Sequence, residues 1–493
     1  MSRAIGRSLA SRRLLPAMII LFLFFVFFVV AHPSYSSTPQ QPEQKTGRQQ
    51  EESGTNPQFL AALRAYKAQQ YAVARKQLQA MVQVAPASFE VNELLGLVYV
   101  AQGDQANANQ FLAKAVRLNP TLPEARTALA TNLLALHRAD EAEIQFSKAV
   151  ELRPDGYDAN HNLGEFYIQT GKIASAIPFL ERAQQADRTV YNNGYDLALA
   201  LEQSGKLDGA RQQLQYLISL QDAAELHSLL GEVEEKSRNY LSAAAQYEQA
   251  ARMEPSEQNI LNWGAELLLH QTFAPAIDVF KAGTQRFPAS TQLNDGLGIA
   301  LYGAGQTDDA VRAFFRASDL TPSDPLPLTF LGKACDSASP SLADQVRSRL
   351  QNFIARDTKS AELHYYLAVC LRKTSPTDSK AGRDPDAETL LKRAVALDPN
   401  YADAYFQLGA LYGDEHKYKE AIEHYELALK INPNAANIHY RLAQVLARMG
   451  NQTRAQEELA VFERLRQSES DATSKELSEI QQFVYRLRKA DTN

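Results

Sequence analysis

The residues that most resemble parts of a catalytic or metal site are scattered along this chain. Gly171-Lys172 and Gly205-Lys206 look like fragments of a phosphate-binding loop, but an apolar residue follows each pair where such a loop needs Ser or Thr. The nine histidines are dispersed, and the sequence contains neither His-Glu-x-x-His nor Cys-x-x-Cys. We therefore predict no catalytic residues, no bound metal and no cofactor, and we expect both Gly-Lys pairs to lie in turns.

The two cysteines of the chain, Cys335 and Cys370, allow two interpretations. In an exported protein, an even number of cysteines permits a disulfide. A free cysteine behaves instead as a small buried apolar residue, and both cysteines fall in segments where small residues recur at helical spacing. We favour two buried free thiols, with the disulfide as the alternative.

Small residues recur along most of the chain with a period of about 34 residues. A Gly or Ala precedes most of the alanines that set this period by 12 positions, and a proline follows most of them by 12. A fixed period of this length is typical of a repeat array, in which each unit buries its apolar face against its neighbours. The alanines are Ala74, Ala108, Ala142, Ala176, Ala210, Ala243, Ala276, Ala310, Ala387, Ala421 and Ala455.

Each repeat is predicted to contain two helices. In residues 89–122, Gly96 and Ala108 are the small residues that would let the two helices cross closely. Gly103 would break the first helix. Pro120 would end the second, because proline has no backbone N–H and clashes with the preceding turn.

The pattern Leu-Gly-x-x-Tyr, then Ala, then a large residue four positions later and finally Pro resembles the tetratricopeptide repeat family. About twelve units of this pattern follow residue 54. The resemblance implies an all-α, right-handed superhelical solenoid. It also implies that the first helix of each repeat lines a groove that binds other proteins or peptides.

The array is predicted to contain about nine repeats in residues 55–358 and about three in residues 359–469. The last repeat of the first group has Asp344 where its neighbours have alanine, and the next repeat carries a polar insertion in residues 373–386. We interpret the insertion as neutral lengthening of an exposed loop, which costs little free energy. The alternative is a loop near the binding surface. The irregular pair is also a candidate joint between the two groups.

Residues 470–493 are predicted to form a helix that caps the end of the array. Residues 473–476 have the capping-box pattern that starts helices, and an apolar stripe follows them. A solenoid needs such a cap because its terminal repeat would otherwise expose an apolar face. A partner-binding amphipathic helix is the alternative.

The N-terminus has the pattern of an export signal. Residues 1–13 contain four arginines, and residues 14–31 are uncharged and contain five phenylalanines. A positive flank before an apolar run directs the following chain out of the cytoplasm. Residues 1–31 are thus either a cleaved signal peptide or an uncleaved membrane anchor, and the Pro-, Gln- and Ser-rich residues 32–54 are a flexible linker. We expect the repeats outside the cytoplasm, either periplasmic or anchored to the inner membrane.

The net charge of the chain is −6 at pH 7, although its first 31 residues contain four arginines and no acidic residue. The remainder is therefore more acidic than the whole. Because nucleic-acid binding needs a basic face, we do not expect nucleic acid as the main partner.

Five residues of the last repeats are candidates for a partner-binding groove. Tyr365, Phe406 and Tyr440 occupy equivalent positions in three predicted first helices, and Gln407 and Gln444 lie nearby. Aromatic residues with hydrogen-bonding neighbours are typical of interface hot spots. The same side chains could instead pack between repeats.

The predicted groove lacks the lysine–asparagine clamp that some tetratricopeptide repeat proteins use to hold a C-terminal carboxylate. Acidic residues stand where such a clamp would need cations, and we interpret them as residues that favour the positive end of a helix dipole. They are Glu90, Glu124, Asp158, Glu225, Glu362 and Asp403.

The sequence therefore predicts a non-catalytic scaffold outside the cytoplasm, which binds protein or peptide partners in envelope assembly or secretion. The first alternative is an accessory subunit of exopolysaccharide export or carbohydrate handling, which aromatic platforms lined by amides would favour. The second alternative is an enzyme, which would need titratable groups from several repeats to converge in one cleft.

Overall fold

The computed structural model describes residues 56–374 and 385–468, which form twenty-four α-helices and no β-strand. The predicted export signal and linker (1–54), most of the predicted insertion (375–384) and the predicted capping helix (470–493) lie outside these residues. None of the described helices has the length and apolar character needed to cross a membrane.

The chain divides into two compact units between Asn239 and Tyr240. In chain order the helices alternate between first and second helices of twelve repeats, which confirms the predicted all-α repeat array; the predicted boundary between its two groups of repeats stays a prediction. The helices of unit 1 are α1 (Pro57–Lys67), α2 (Tyr71–Val84), α3 (Phe89–Ala101), α4 (Gln105–Leu118), α5 (Pro123–Ala135), α6 (Ala139–Leu152), α7 (Tyr157–Gln169), α8 (Ile173–Ala186), α9 (Tyr191–Gln203), α10 (Leu207–Leu220) and α11 (Ala224–Lys236). Those of unit 2 are α12 (Tyr240–Met253), α13 (Glu257–Leu269), α14 (Phe273–Arg286), α15 (Thr291–Gly303), α16 (Thr307–Leu320), α17 (Leu326–Ala334), α18 (Pro340–Ile354), α19 (Ala361–Thr374), α20 (Pro385–Leu397), α21 (Ala402–Asp414), α22 (Tyr418–Ile431), α23 (Ala436–Arg448) and α24 (Gln452–Ser468).

The two helices of a repeat cross where a small residue of the first helix faces a large residue of the second. A Cβ atom added to Gly96 of α3 would lie 2.7 Å from the Leu112 side chain, and one added to Gly409 of α21 would lie 2.7 Å from the ring of Tyr425. Such distances are shorter than van der Waals contact, so a side chain at either position would force the facing residue to shift; at the equivalent position of α5 the largest side chain present is the methyl group of the fully buried Ala130. The alanines that set the period are fully buried from Ala74 to Ala421, which confirms the predicted crossings.

The turn between the helices of a repeat contains one residue in the left-handed region. The φ angle is 74° at Gly171 and 73° at Gly205, so both Gly-Lys pairs do lie in turns as predicted. Other repeats place a non-glycine residue there, with φ of 58° at His137 and 59° at Gln69. This conformation costs a non-glycine residue about 1–2 kcal/mol, so the packing of the flanking helices must hold it in place.

First helices start with groups that satisfy or complement their free N–H donors. The Ser88 hydroxyl accepts a hydrogen bond from the Val91 N–H at 3.3 Å, and the Ser290 hydroxyl accepts one from the Leu293 N–H at 3.1 Å. Such caps stabilise a helix by about 1 kcal/mol. The six acidic residues singled out in the sequence all lie in the first turn of a helix, which confirms their favourable placement near the dipole: Glu90, Glu124, Asp158, Glu225, Glu362 and Asp403.

The repeat that departs from the pattern has a shortened first helix. Helix α17 has nine residues, whereas the first helices α15 and α21 have thirteen. In the following helix, α18, the side chains of Ala343 and Val346 are buried and that of Asp344 is exposed. The small buried residue of this repeat is therefore Ala343, one position before the expected one, and Asp344 does not interrupt the core.

Cys335 and Cys370 form a disulfide, and both are buried. Our preference for two free thiols was therefore wrong. Because α17 ends at Ala334, Cys335 directly follows its last turn, and its Cα lies 5.7 Å from the Cα of Cys370 in α19. This separation lies within the range that a disulfide requires. The repeat pattern did not show it, because periodicity gives the position of each cysteine within its repeat but not the distance between the two Cα atoms.

The buried alanines give a direct test of the crossings. We expect Ala142→Leu in α6 to lower the free energy of unfolding by about 1–3 kcal/mol, because the added atoms have no space at a fully buried position. Urea unfolding measured by circular dichroism checks this. The control is Ala72→Leu at an exposed position of α2, which should change stability little; equal stability of both variants would contradict the predicted packing.

Candidate partner-binding faces

The three aromatic residues predicted for the groove lie at one equivalent position of α19, α21 and α23. Tyr365, Phe406 and Tyr440 each stand two residues before the leucine of the repeat motif. We call these three residues the aromatic ladder. Whether they bind a partner stays a prediction, but their surroundings can be described.

Two members of the aromatic ladder are half-buried. The ring of Tyr365 lies 5.1 Å from that of Tyr401, at the start of α21. The ring of Phe406 lies 5.9 Å from that of Tyr425 in α22. Both side chains pack against the core of the last repeats, so truncating either one would cost stability as well as any binding.

Tyr440 is the exposed member of the aromatic ladder. Its exposed fraction is 40%, and one side of its ring lies 5.1 Å from the ring of Phe462 in α24. An aromatic residue that is supported on one side and open on the other can contribute a large contact area at small entropic cost. Of the three, Tyr440 is the best placed to contact a partner.

The two predicted glutamines are already engaged by arginines. The Arg372 guanidinium donates to Gln407 Oε1 at 2.7 Å and to Asp414 at 2.8 Å. Arg441 donates to Gln444 Oε1 at 3.5 Å, a long and exposed contact. The sequence analysis missed both arginines, because their positions in the first helices are visible but their pairing is not.

A second face, in unit 1, carries stacked rings beside carboxylates. His161 in α7 and Tyr195 in α9 occupy the same motif position as the aromatic ladder, two residues before Leu163 and Leu197. That equivalence is a sequence signal that could have revealed them. We call this the carboxylate–tyrosine face; its residues are Tyr157, His161, Tyr191, Tyr195, Asp196 and Glu225.

Contacts on the carboxylate–tyrosine face run from one first helix to the next. His161 Nδ1 lies 3.2 Å from the Asn193 side-chain oxygen, joining α7 to α9. The Tyr191 hydroxyl donates to Glu225 Oε1 at 2.7 Å, joining α9 to α11. Because these bonds connect successive first helices, the face is a continuous surface of unit 1.

Two carboxylates on the first helices of unit 1, Asp196 and Glu93, have raised pKa values. Burial raises the pKa of Asp196 to about 6, with a further increase from Glu165 that His161 opposes. Burial also raises the pKa of Glu93 in α3 to about 7, assisted by Glu124 and Glu90. Burial without a strong cationic partner disfavours the charged form of a carboxyl.

One more carboxylate, in unit 2, is buried without a partner for one of its oxygens. Asp295 in α15 is 1% exposed, and its Oδ1 accepts no hydrogen bond. Burial holds its pKa well above the usual range, and Asp324 adds to the effect. Asp295 occupies the same motif position as Tyr195, yet it is closed off from the surface.

The geometry offers no metal centre in the part of the chain that is described: no group of three or more His, Cys, Asp or Glu side chains there could hold an ion. What the first helices present instead is two faces of rings and charged groups.

The sequence patterns of the tetratricopeptide repeat account for much of this chain. One family, described as "Tetratricopeptide repeat", matches residues 59–123, 127–190 and 195–257, and another, "TPR repeat", matches residues 380–415 and 414–450. Together the matches cover just over half of the chain. The chain belongs to the tetratricopeptide repeat family. Repeats of this family indicate a protein–protein interaction scaffold, and the family and its fold are typically non-catalytic.

Individual relatives are more distant. A tetratricopeptide repeat and J domain-containing co-chaperone, DNJ1 of Cryptococcus neoformans var. grubii, is 32% identical over 87 residues, which are 18% of this chain and 16% of that protein. The chain thus matches less than a fifth of the length of this relative.

Similar solved structures have low overall superposition scores. YrrB, titled a TPR protein with an unusual peptide-binding site, is 17% identical; the match covers 36% of this chain and 93% of YrrB, with a TM-score of 0.34. Naa15/Naa10 bound to HypK-THB gives 18% identity over 82% of this chain and 68% of the other, with a TM-score of 0.38. MamA is 26% identical; the match covers 36% of this chain and 97% of MamA, with a TM-score of 0.30.

The raised pKa of Asp196 predicts a pH-dependent effect on stability. A carboxyl that holds its proton more tightly in the folded state than in the unfolded state stabilises the fold fully below its unfolded pKa of 3.8, and this contribution is lost as the pH rises through about 6. The side chain of Asp196→Asn carries no charge, so the variant does not lose this contribution as the pH rises. We compare the free energy of unfolding of the variant with that of the wild type at each pH. We expect this difference to favour the variant by about 1–3 kcal/mol more at pH 7.5 than at pH 4.

Urea unfolding of Asp196→Asn at the two pH values checks this. The control is Asp278→Asn at an exposed position in the middle of α14, which should show a similar small effect at both. If the effect of Asp196→Asn also differs little between the two pH values, the Asp196 carboxylate is well solvated in the folded protein and the prediction is wrong.

Proposed function

We propose that this protein is a scaffold outside the cytoplasm that binds a polypeptide partner on the first-helix face of its last repeats, in envelope assembly or secretion. The observation that carries the binding proposal is the aromatic ladder at one equivalent position of three successive first helices. Its exposed member, Tyr440, is flanked by Arg441. Aromatic and arginine side chains are the residues most enriched in interface hot spots.

A polypeptide fits this face better than a carbohydrate does. A sugar platform needs an open ring face with free amide groups beside it. In this protein Tyr365 and Phe406 are half-buried against other rings, and the oxygen of Gln407 already accepts from Arg372. The ladder therefore offers one open ring, that of Tyr440, with the exposed Arg441 guanidinium beside it, which suits side chains and backbone carbonyls of a peptide.

Two observations support a location outside the cytoplasm. The first is the run of four arginines followed by 18 uncharged residues at the N-terminus. The second is the buried disulfide between Cys335 and Cys370. Disulfides persist in oxidising compartments and are rare where cytosolic reductants keep thiols reduced. The residues that follow the export signal would be either periplasmic or tethered to the inner membrane.

Export can be tested with a reporter fused after residue 60. We expect alkaline phosphatase, which needs its own disulfides, to be active in this fusion because the arginine-flanked segment directs the following chain across the membrane. The matched control lacks residues 1–31 and should be inactive. Activity of both fusions, or of neither, would contradict the proposed location, and N-terminal sequencing of the mature protein would distinguish cleavage from anchoring.

Binding can be tested by exchanging exposed tyrosines in unit 2. We expect Tyr440→Ala to weaken capture of the crosslinked native partner by about 2 kcal/mol, the loss typical of a hot-spot aromatic. The matched control is Tyr240→Ala: its exposed fraction is 42%, close to the 40% of Tyr440, but it lies on a second helix. Thermal unfolding of both variants separates binding from stability; equal capture by both would remove the aromatic ladder as the binding site.

A further inference from the structure

The first helices α7, α9 and α11 of unit 1 are strongly and one-sidedly charged. They contain eight carboxylates and one basic residue, Lys236, which pairs with Glu202. Another buried carboxylate, Glu234, is neutralised by Arg211 of α10 at 2.7 Å. Of the six carboxylates that remain, Asp196 and Glu225 belong to the carboxylate–tyrosine face, and Glu165 of α7 acts on Asp196.

The rings of this face are arranged as two stacked pairs, one per helix. Tyr157 and His161 in α7 have ring centroids 5.4 Å apart, and Tyr191 and Tyr195 in α9 have centroids 6.3 Å apart. The two residues of each pair are one helical turn apart, so their rings lie one after the other along the helix. Aromatic faces beside carboxylates attract ammonium and guanidinium groups through both the ring quadrupole and the full negative charge.

Asp196 is the centre of negative charge on this face. It is half-buried, and among the described residues nothing donates a hydrogen bond to it; the titratable groups that act on it are His161 and Glu165 of α7. Burial is the main cause that raises the pKa of the two neighbouring tyrosines, and carboxylates add to it. Asp196 raises the pKa of Tyr157 further, and Glu232 and Glu225 do the same for Tyr195. A desolvated carboxylate is stabilised most by an incoming cation.

We propose that the carboxylate–tyrosine face of unit 1 binds a lysine- or arginine-rich segment of a partner polypeptide. The complementary charge supports this occupant, and an extended segment fits because ring pairs and carboxylates recur on successive repeats rather than enclosing one point. The proposal shares the scaffold function described above but concerns a different unit, and it does not depend on the aromatic ladder.

The direct test is fluorescence anisotropy with the purified full-length protein and a labelled peptide in which lysine alternates with serine. A peptide with glutamine in place of every lysine is the ligand control. The surface variant combines Glu165→Gln, Asp196→Asn and Glu225→Gln. We expect it to bind the lysine peptide about tenfold or more weakly than the wild type, and to show a smaller dependence of affinity on salt.

The matched protein control removes the same number of negative charges from second helices of the same unit. It combines Asp140→Asn, Glu151→Gln and Glu181→Gln, all at exposed positions of α6 and α8. We expect this variant to bind the lysine peptide nearly as the wild type does. Equal weakening of the surface and control variants would show attraction by net charge alone and would overturn the proposal.

A second variant covers the possibility that the surface variant does not fold. Tyr195→Leu keeps an apolar side chain in place and removes only the aromatic ring, and we expect about threefold weaker binding. Equal binding of the lysine and glutamine peptides to the wild type would overturn the proposal. Unchanged affinity for the lysine peptide in both the surface variant and Tyr195→Leu would also overturn it. So would a crosslink that joins this face to the arginines of residues 1–13, because the occupant would then be the chain itself.

The two binding proposals can fail separately. Tyr440→Ala should bind the lysine peptide as the wild type does, because residue 440 lies in unit 2. Loss of native-partner capture in that variant with retained peptide binding supports both proposals. Retained capture together with the expected peptide results would remove only the aromatic ladder as a site.

Discussion

The fold depends on the close crossing of two helices at a position that admits almost no side chain. At Gly96 the neighbouring Leu112 fills the space that a Cβ would need, and Tyr425 does the same at Gly409. Because backbones approach closely there, a large residue four positions after the buried alanine can reach across to the first helix. The helix pair is then held by local packing, and the same contact repeats along the chain.

Only some residues of each first helix take part in the crossing. The position two residues before the motif leucine is not needed for the crossing, and its chemistry changes freely from repeat to repeat: it is His161, Tyr195, Asp295 and Tyr440 in different repeats. Some of these residues are buried at an energetic disadvantage, as the unpartnered oxygen of Asp295 shows. At this position Tyr365 and Phe406 also pack against the core of the last repeats, whereas Tyr440 is 40% exposed. Stability and recognition are therefore separated in some repeats and share a residue in others.

The sequence was sufficient for the features that depend on residue size. Ala142 and Gly171 are examples, because a fully buried crossing needs a small side chain and a left-handed turn favours glycine. It was insufficient for the bond between Cys335 and Cys370, because that bond depends on the distance between two Cα atoms of neighbouring repeats, which residue type and spacing do not give.

The binding faces were only partly visible in the sequence for a similar reason. Equivalence of position identified the aromatic ladder and could have identified Tyr195, since both follow from alignment of the repeats. The pairing of Gln407 with Arg372, and the burial that raises the pKa of Asp196, depend on neighbours that lie one repeat away in space. These contacts decide which members of an equivalent set remain available to a partner.

The account claims that partners bind the first-helix face and leave the second helices free. Hydroxyl-radical footprinting of the full-length protein, alone and with its captured partner, tests this claim directly because it reads side-chain exposure at many positions in one experiment. The account predicts slower oxidation of Tyr440 in the complex and unchanged oxidation of Tyr240 and Leu241, which are exposed on the second helix α12. Protection of Tyr240 and Leu241 with unchanged oxidation of Tyr440 would contradict it.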